Sequence, residues 1–198
     1  MIHTVQRQDV LPQPWRNGGG STCELLTWPP GADWQCRISV ARIESHGPFS
    51  SYAGVERWIA VVQGEGMVLH FANRRVRLSM GSAPLRFDGA SAPQCGLLGG
   101  ATQDLNLMAQ NAAGHADMFT VQTQEDWASS AALRAVYTAT AATLQVDDGP
   151  GLNLPAHTLA YSEQASLQRW RLTPAPTAAT GQPVAHGAWW LQFTARPS

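Results

Sequence analysis

A chain of 198 residues, 44% hydrophobic and 14% charged, can bury a substantial core as one domain or two small halves, and its composition excludes a disordered chain. The net charge of −1 is spread over interspersed acids and bases, so the attraction that drives non-specific binding to nucleic acid or acidic membranes is missing. All 13 basic residues are arginine, which excludes lysine Schiff-base chemistry and the lysine of a phosphate-binding P-loop.

Met1 to Val10 holds Arg7 and Asp9 and no apolar signal-type run, and nowhere do about 18 apolar residues follow one another, so a cytoplasmic protein is expected. Next comes Trp15-Arg16-Asn17-Gly18-Gly19-Gly20-Ser21-Thr22. Three glycines remove every Cβ and permit tight turns and close backbone approach, while the Trp-Arg-Asn entry argues for a structured element rather than a linker. Short alternating runs then predict strands over Ser21–Thr27, Trp34–Ile43, Arg57–Gln63, Met67–Phe71, Arg74–Ser79, Pro84–Phe87 and Asp104–Ala109. Turn residues separate them at Pro29-Pro30-Gly31, His46-Gly47-Pro48, Gln63-Gly64-Glu65-Gly66, Ala72-Asn73 and Asp88-Gly89. Gly114 to Ser130 reads as polar and irregular, and Ser129/Ser130 reads as the cap of a short helix running through Tyr137. Strands resume over Thr143–Val146, His157–Ser162, Ser166–Leu172 and Trp189–Thr194, with a surface loop from Thr173 to Pro183.

Strand alternation places the chemistry. It puts Arg37, Ser39 and Ala41 on one face, and Asp104, Asn106 and Met108 together opposite Leu105 and Leu107. A small barrel must turn one such face inward, where polar groups satisfy one another or a ligand. Arg57 opens the apolar run Trp58-Ile59-Ala60-Val61-Val62, as a guanidinium at a pocket rim would, ready to grip a carboxylate; its alternative is a salt bridge to Glu56, Glu24 or Asp104. Ser50 and Ser51 offer hydroxyls beside Phe49, though turn-forming serines are the simpler reading. Among eight tryptophans, Trp15, Trp28, Trp34 and Trp58 are candidates to wall a pocket, while Trp189 and Trp190 must split between two faces.

Metal binding is not expected: the six histidines show no His-x-His pair, and His70 with Glu65 is at most a fragment. Cys23, Cys36 and Cys95 lack CxxC spacing and any cue for activation, GxSxG is absent, and no cofactor is implied.

The blocks Trp15 to Glu24, Trp34 to Ala41, Gly47-Pro48-Phe49-Ser50, Gly54-Val55-Glu56-Arg57 and Asp104 to Met108 resemble, in order and spacing, those of the HutD/Ves family. The resemblance implies an all-β bicupin, two packed antiparallel β-barrel (jelly-roll-like) halves with at most one or two short helices. The halves would cover about residues 1–112 and 113–198, with terminal strands open to exchange. It further implies a bacterial, metal-independent regulator of histidine utilisation that binds N-formylglutamate or a related small carboxylate, with Ves members described as stress-induced. Carried over by position, the ligand-facing set is Trp15, Asn17, Arg37, Ser39, Arg57, Asp104 and Asn106, with Arg57 the foremost anchor. The metal-binding His-x-His block of cupins is missing from Trp58–Phe71, and the neutral Ala109-Gln110-Asn111-Ala112-Ala113 departs from the Arg-containing stretch the family leads one to expect. Two alternatives stand beside this reading: a cofactor-free isomerase or hydrolase with Asp104 as general acid/base, and a protein–protein adaptor using exposed tryptophan faces. Exposed sheet edges leave a homodimer open, with no symmetric interface specified.

Overall fold

In a computed structural model, residues 1–122, 125–175 and 187–196 are described. The first strands are β1 (His3–Gln6), β2 (Gln13–Pro14), β3 (Gly20–Trp28), β4 (Cys36–Ile43), β5 (Gly47–Pro48), β6 (Val55–Gln63), β7 (Met67–His70), β8 (Arg75–Leu78), β9 (Leu85–Asp88), β10 (Gln94–Leu97) and β11 (Thr102–Gln110). After them come β12 (Gly114–Thr120), β13 (Trp127–Ala128), β14 (Leu133–Thr138), β15 (Ala142–Val146), β16 (Leu152–Leu154), β17 (Thr158–Ser162), β18 (Arg169–Pro174) and β19 (Ala188–Ala195). Two single-turn 3₁₀ helices, Arg7–Asp9 and Gly89–Ser91, are the helical elements among the described residues, and no described helix is long and apolar enough to cross a membrane. The architecture is all-β, antiparallel and bicupin-like.

The chain divides into two units. One comprises Val10–Ala116 with Arg196; the other comprises Asp117–Ala195 with Met1–Asp9, whose β1 pairs antiparallel with β17. Val10–Ala116 builds a six-stranded sheet, β2-β3-β4-β11-β6-β9, and a four-stranded sheet, β5-β10-β7-β8. Ile43, Phe49, Ile59, Val61, Met67, Leu69, Leu78, Phe87 and Cys95 form its apolar core. The second unit has the sheets β1-β17-β14-β19-β12 and β13-β18-β15-β16. Its core gathers Val136, Leu144, Ala160, Leu172 and the rings of Trp170 and Trp190, with Trp127 stacked on Trp190 at 4.9 Å.

The expected helix through Tyr137 is instead β14, a fully buried strand flanked by β17 and β19. Val136, Tyr137 and Thr138 are better suited to a pleated sheet than to a helix, and burial on both faces removes the alternation that would have revealed the strand. Ser129 does make the local bond its type favours, its Oγ accepting from Ala131 N at 3.1 Å, but this closes a turn rather than opening a helix. The stretch read as irregular after Gly114 contains β12, in which Gly114, Ala116 and Met118 are buried while His115 and Phe119 are exposed. Thr173 and Pro174, expected in a loop, end β18; residues 176–186 of that expected loop lie outside the described residues.

One strand decides where the site lies. β11 is central, with β4 and β6 on either side, and Leu105 and Leu107 on the face away from Asp104 and Asn106 are at most 1% exposed. Leu107→Ala should therefore cost about 3 kcal/mol in chemical denaturation, the range for a leucine deleted from a packed interior. A cost below about 1 kcal/mol would mean that this face does not anchor the sheet.

Candidate functional site

The Gly-rich motif is the loop of a β-hairpin. Gln13 and Pro14 of β2 pair with Thr22 and Ser21 of β3, Trp15 N donates to Gly20 O at 2.9 Å, and Gly18 N donates to Trp15 O at 3.0 Å. Gly18 sits at φ +71°, in the left-handed region that glycine enters without strain. Asn17 Oδ1 accepts from Gly19 N at 3.0 Å, and Trp15 Nε1 donates to Thr22 Oγ1 at 2.8 Å, so loop and indole are both held. The hairpin forms one rim of a cavity of about 410 Å³ in the first unit.

The floor is the inner face of the six-stranded sheet. Antiparallel register sets Arg37, Met108, Arg57 and Phe87 in one row across β4, β11, β6 and β9. Ser39 and Asn106 face each other in the next row, and Ala41 and Asp104 in the one after. The seven residues expected to face a ligand, Trp15, Asn17, Arg37, Ser39, Arg57, Asp104 and Asn106, all line this cavity. Of the four tryptophans considered for its wall, Trp15 lines it, whereas Trp58 directs Nε1 to Ala116 O at 2.8 Å.

Arg57 is the most constrained of these groups. It is 7% exposed, its Nη2 donates to Asn106 Oδ1 at 2.8 Å and its Nη1 to Ser50 O at 3.4 Å. Phe49, Tyr52 and Phe87 surround the guanidinium with ring centroids 5.2–5.5 Å from its carbon, a cation–π cage in a dry setting. The Phe49–Gly54 loop that supplies two of those rings is tied down by Phe49 N to Pro93 O and Tyr52 N to Gly89 O, both 2.9 Å. Burial pulls the Arg57 pKa below its ordinary value, while Asp104 supports its charge. Among the described residues its Nε, also buried, has no hydrogen-bond partner.

The three carboxylates considered as salt-bridge partners for Arg57 bind elsewhere. Glu24 pairs with Arg37 at 2.9 Å, Glu56 with Arg86, and Asp104 Oδ2 accepts from Asn106 Nδ2 at 2.6 Å. Arg37 therefore enters the cavity with its charge already shared, and Arg57 is the cation of the floor that meets acid only through Asn106. Asp104 is 1% exposed, and burial pushes its carboxyl up to about 7, against the pull of Asn106 and Arg57. Arg16 adds a cation at the exposed rim.

Sequence reasoning missed the aromatic cage. Phe49 and Phe87 read simply as apolar strand or loop residues, and only their register and loop anchoring bring them over Arg57. Ser50 lines the cavity and lends its carbonyl, whereas Ser51 Oγ donates to Ala90 O at 3.4 Å. His70 and Glu65 are exposed and outside the cavity lining, and among the described residues no three His, Cys, Asp or Glu side chains converge as a metal would require. The cysteines are buried; burial raises the Cys36 thiol far above its ordinary value, and burial with the charge of Asp104 pushes Cys95 up to about 12, which suppresses the nucleophilic thiolate.

A curated relative, the uncharacterized 21.2 kDa protein in the hutC 3′ region of Pseudomonas putida, is 39% identical over 54% of this chain and 57% of its own length. Protein Ves of Citrobacter koseri is 36% identical over 48% of this chain and 50% of its own, so the matched part spans about half of each curated relative. The solved structure of HutD from Pseudomonas fluorescens SBW25 superposes over 100% of both chains with a TM-score of 0.83 at 28% identity. The HutD family model matches residues 7–180, and the chain belongs to the HutD family.

Proposed function

We propose that this protein binds a small carboxylate without a metal and thereby regulates histidine utilisation, with N-formylglutamate or a related pathway intermediate as the ligand. The reading rests above all on Arg57: a buried, aromatic-caged guanidinium on the floor of a cavity of about 410 Å³, with Nε unpartnered among the described residues. That volume lies in the range of small-molecule pockets, and a fixed guanidinium in a low-dielectric site is the side chain best suited to an oxyanion. The relative in the hutC 3′ region supports the histidine-utilisation context.

Calorimetric titration with N-formylglutamate tests it. The unmodified protein should saturate, and Arg57→Ala should bind at least about a hundredfold more weakly, as removal of one partner from a buried charge pair does. Equal affinity in the two proteins would dismiss Arg57 as the anchor. The enzyme alternative is favoured by one observation, the Asp104 carboxyl raised to about 7 within the cavity, where a general acid/base would be effective. It predicts disappearance of the titrated acid, followed by NMR, where a binding protein returns it unchanged.

A further inference from the structure

The hydrogen-bond chain beneath the cavity ends on an unused atom. A guanidinium offers only N–H donors, so Asn106 must turn Oδ1 to Arg57 and Nδ2 to Asp104, and that amide donates to Asp104 Oδ2 at 2.6 Å. Oδ2 is thereby committed as an acceptor. Oδ1, buried and without a partner among the described residues, is the carboxyl oxygen left to carry a proton or to meet a ligand. As a bare carboxylate oxygen it would repel an incoming anion in a site where charges are weakly screened. As a hydroxyl it would be a donor on a residue that lines the cavity and is linked to Arg57 through Asn106.

Building on the carboxylate reading above, we propose that Asp104 is a ligand-contacting, specificity-determining residue that acts as a neutral acid: its Oδ1–H donates to an oxygen of the bound anion, and one proton is taken up from solvent with each anion. No covalent bond changes other than the O–H formed on Asp104. The ligand class that fits is an oxyanion able to accept from Arg57 and from a carboxylic O–H together, which selects acids over neutral amides and over amines.

Charged and titratable groups surround Asp104 from several elements. Arg57 lies on β6 and Arg37 on β4, Glu24 on β3 is paired with Arg37, and Arg16 is at the hairpin rim. Cys95 on β10 is pushed up to about 12 by burial and by the charge of Asp104, and Tyr52 lies on the Phe49–Gly54 loop. With its carboxyl already raised by burial, Asp104 is partly ionised in the free protein at neutral pH, and a second negative charge drives it toward the acid form.

Titration with N-formylglutamate in buffers of low and high ionisation enthalpy reads this directly. At about pH 8 the binding heat should depend on the buffer and report uptake of close to one proton; at about pH 5.5 the uptake should vanish. Above about pH 7 the dissociation constant should weaken by up to about tenfold per pH unit. Asp104→Asn, whose amide N–H stands in for the acid O–H, should bind with the same affinity across the range and without proton uptake. Saturable binding that is indifferent to pH and buffer would overturn the role of Asp104 while leaving the carboxylate reading intact. Heat absent at every pH would overturn both.

Discussion

Gly20→Ala is expected to destabilise the protein by about 5 kcal/mol or more, enough to abolish cooperative unfolding at ordinary temperatures in a domain of normal marginal stability. A Cβ at this position would lie 2.1 Å from the carbonyl oxygen of Arg42 and 3.2 Å from the ring of Trp15. The first of these is backbone, held in the β3–β4 ladder where Gly20 opposes Ile43, so it cannot swing aside as a side chain could. Moving it breaks the pairing that also presents Arg37 and Ser39 to the cavity. The neighbouring glycines provide the scale. At Gly19 the nearest atom is Ser45 Oγ at 3.1 Å, a rotatable hydroxyl, and at Gly18 there is open space, with only the positive φ to penalise a side chain. Gly18→Ala should cost about 1 kcal/mol and Gly19→Ala a similar amount. Urea denaturation followed by tryptophan fluorescence would rank the three, and a Gly20→Ala protein within about 1 kcal/mol of the others would show that the hairpin does not approach β4 as described.

The contrast between Gly20 and the rest of the motif shows what kind of information the sequence carried. That Trp15–Thr22 is a built element was readable, because three glycines after a Trp-Arg-Asn entry suit a tight turn; that Gly20 in particular is the point of close approach depends on a neighbour more than twenty residues away, and no local pattern encodes it. The same division holds for the cavity floor. Period-two alternation placed Arg37 with Ser39 and Asp104 with Asn106 on single faces, and antiparallel register then brought those faces together, so residue spacing alone went most of the way. It could not say that Glu24 would claim Arg37, a pairing across β3 and β4 beside the bulge between Glu24 and Leu26. Nor could it find the cage over Arg57, since Phe49, Tyr52 and Phe87 come from a loop and an edge strand. The failure at β14 has the opposite origin: the strand is buried on both faces, and with both periods equally compatible with a short apolar run, a nearby serine tipped the reading to helix.

Asp104 presents the second large effect, through stability rather than binding. Burial raises its carboxyl from 3.8 to about 7, so between these values the folded protein holds a proton that the unfolded chain has released. Stability therefore falls as pH rises through that window and stays reduced above it, the reverse of a salt-bridged carboxylate. The displacement corresponds to roughly 4 kcal/mol at alkaline pH, the free energy of ionising an acid that has left water for a nearly dry floor. Asp104→Asn removes the ionisation while keeping the shape and an acceptor for Asn106 Nδ2. At about pH 3.5, where the side chain is neutral in the folded protein and largely neutral in the unfolded chain, the two proteins should be nearly equal in denaturant; at about pH 8 the variant should be the more stable by a few kcal/mol. A gap that does not change with pH would mean that the carboxyl is solvated in the folded protein, and one of opposite sign would mean that Arg57 holds it ionised as an ion pair through Asn106. A buried carboxyl that lowers stability as pH rises toward and past neutrality is the kind of local conflict that marks functional sites, and Asp104 lines the cavity of the first unit.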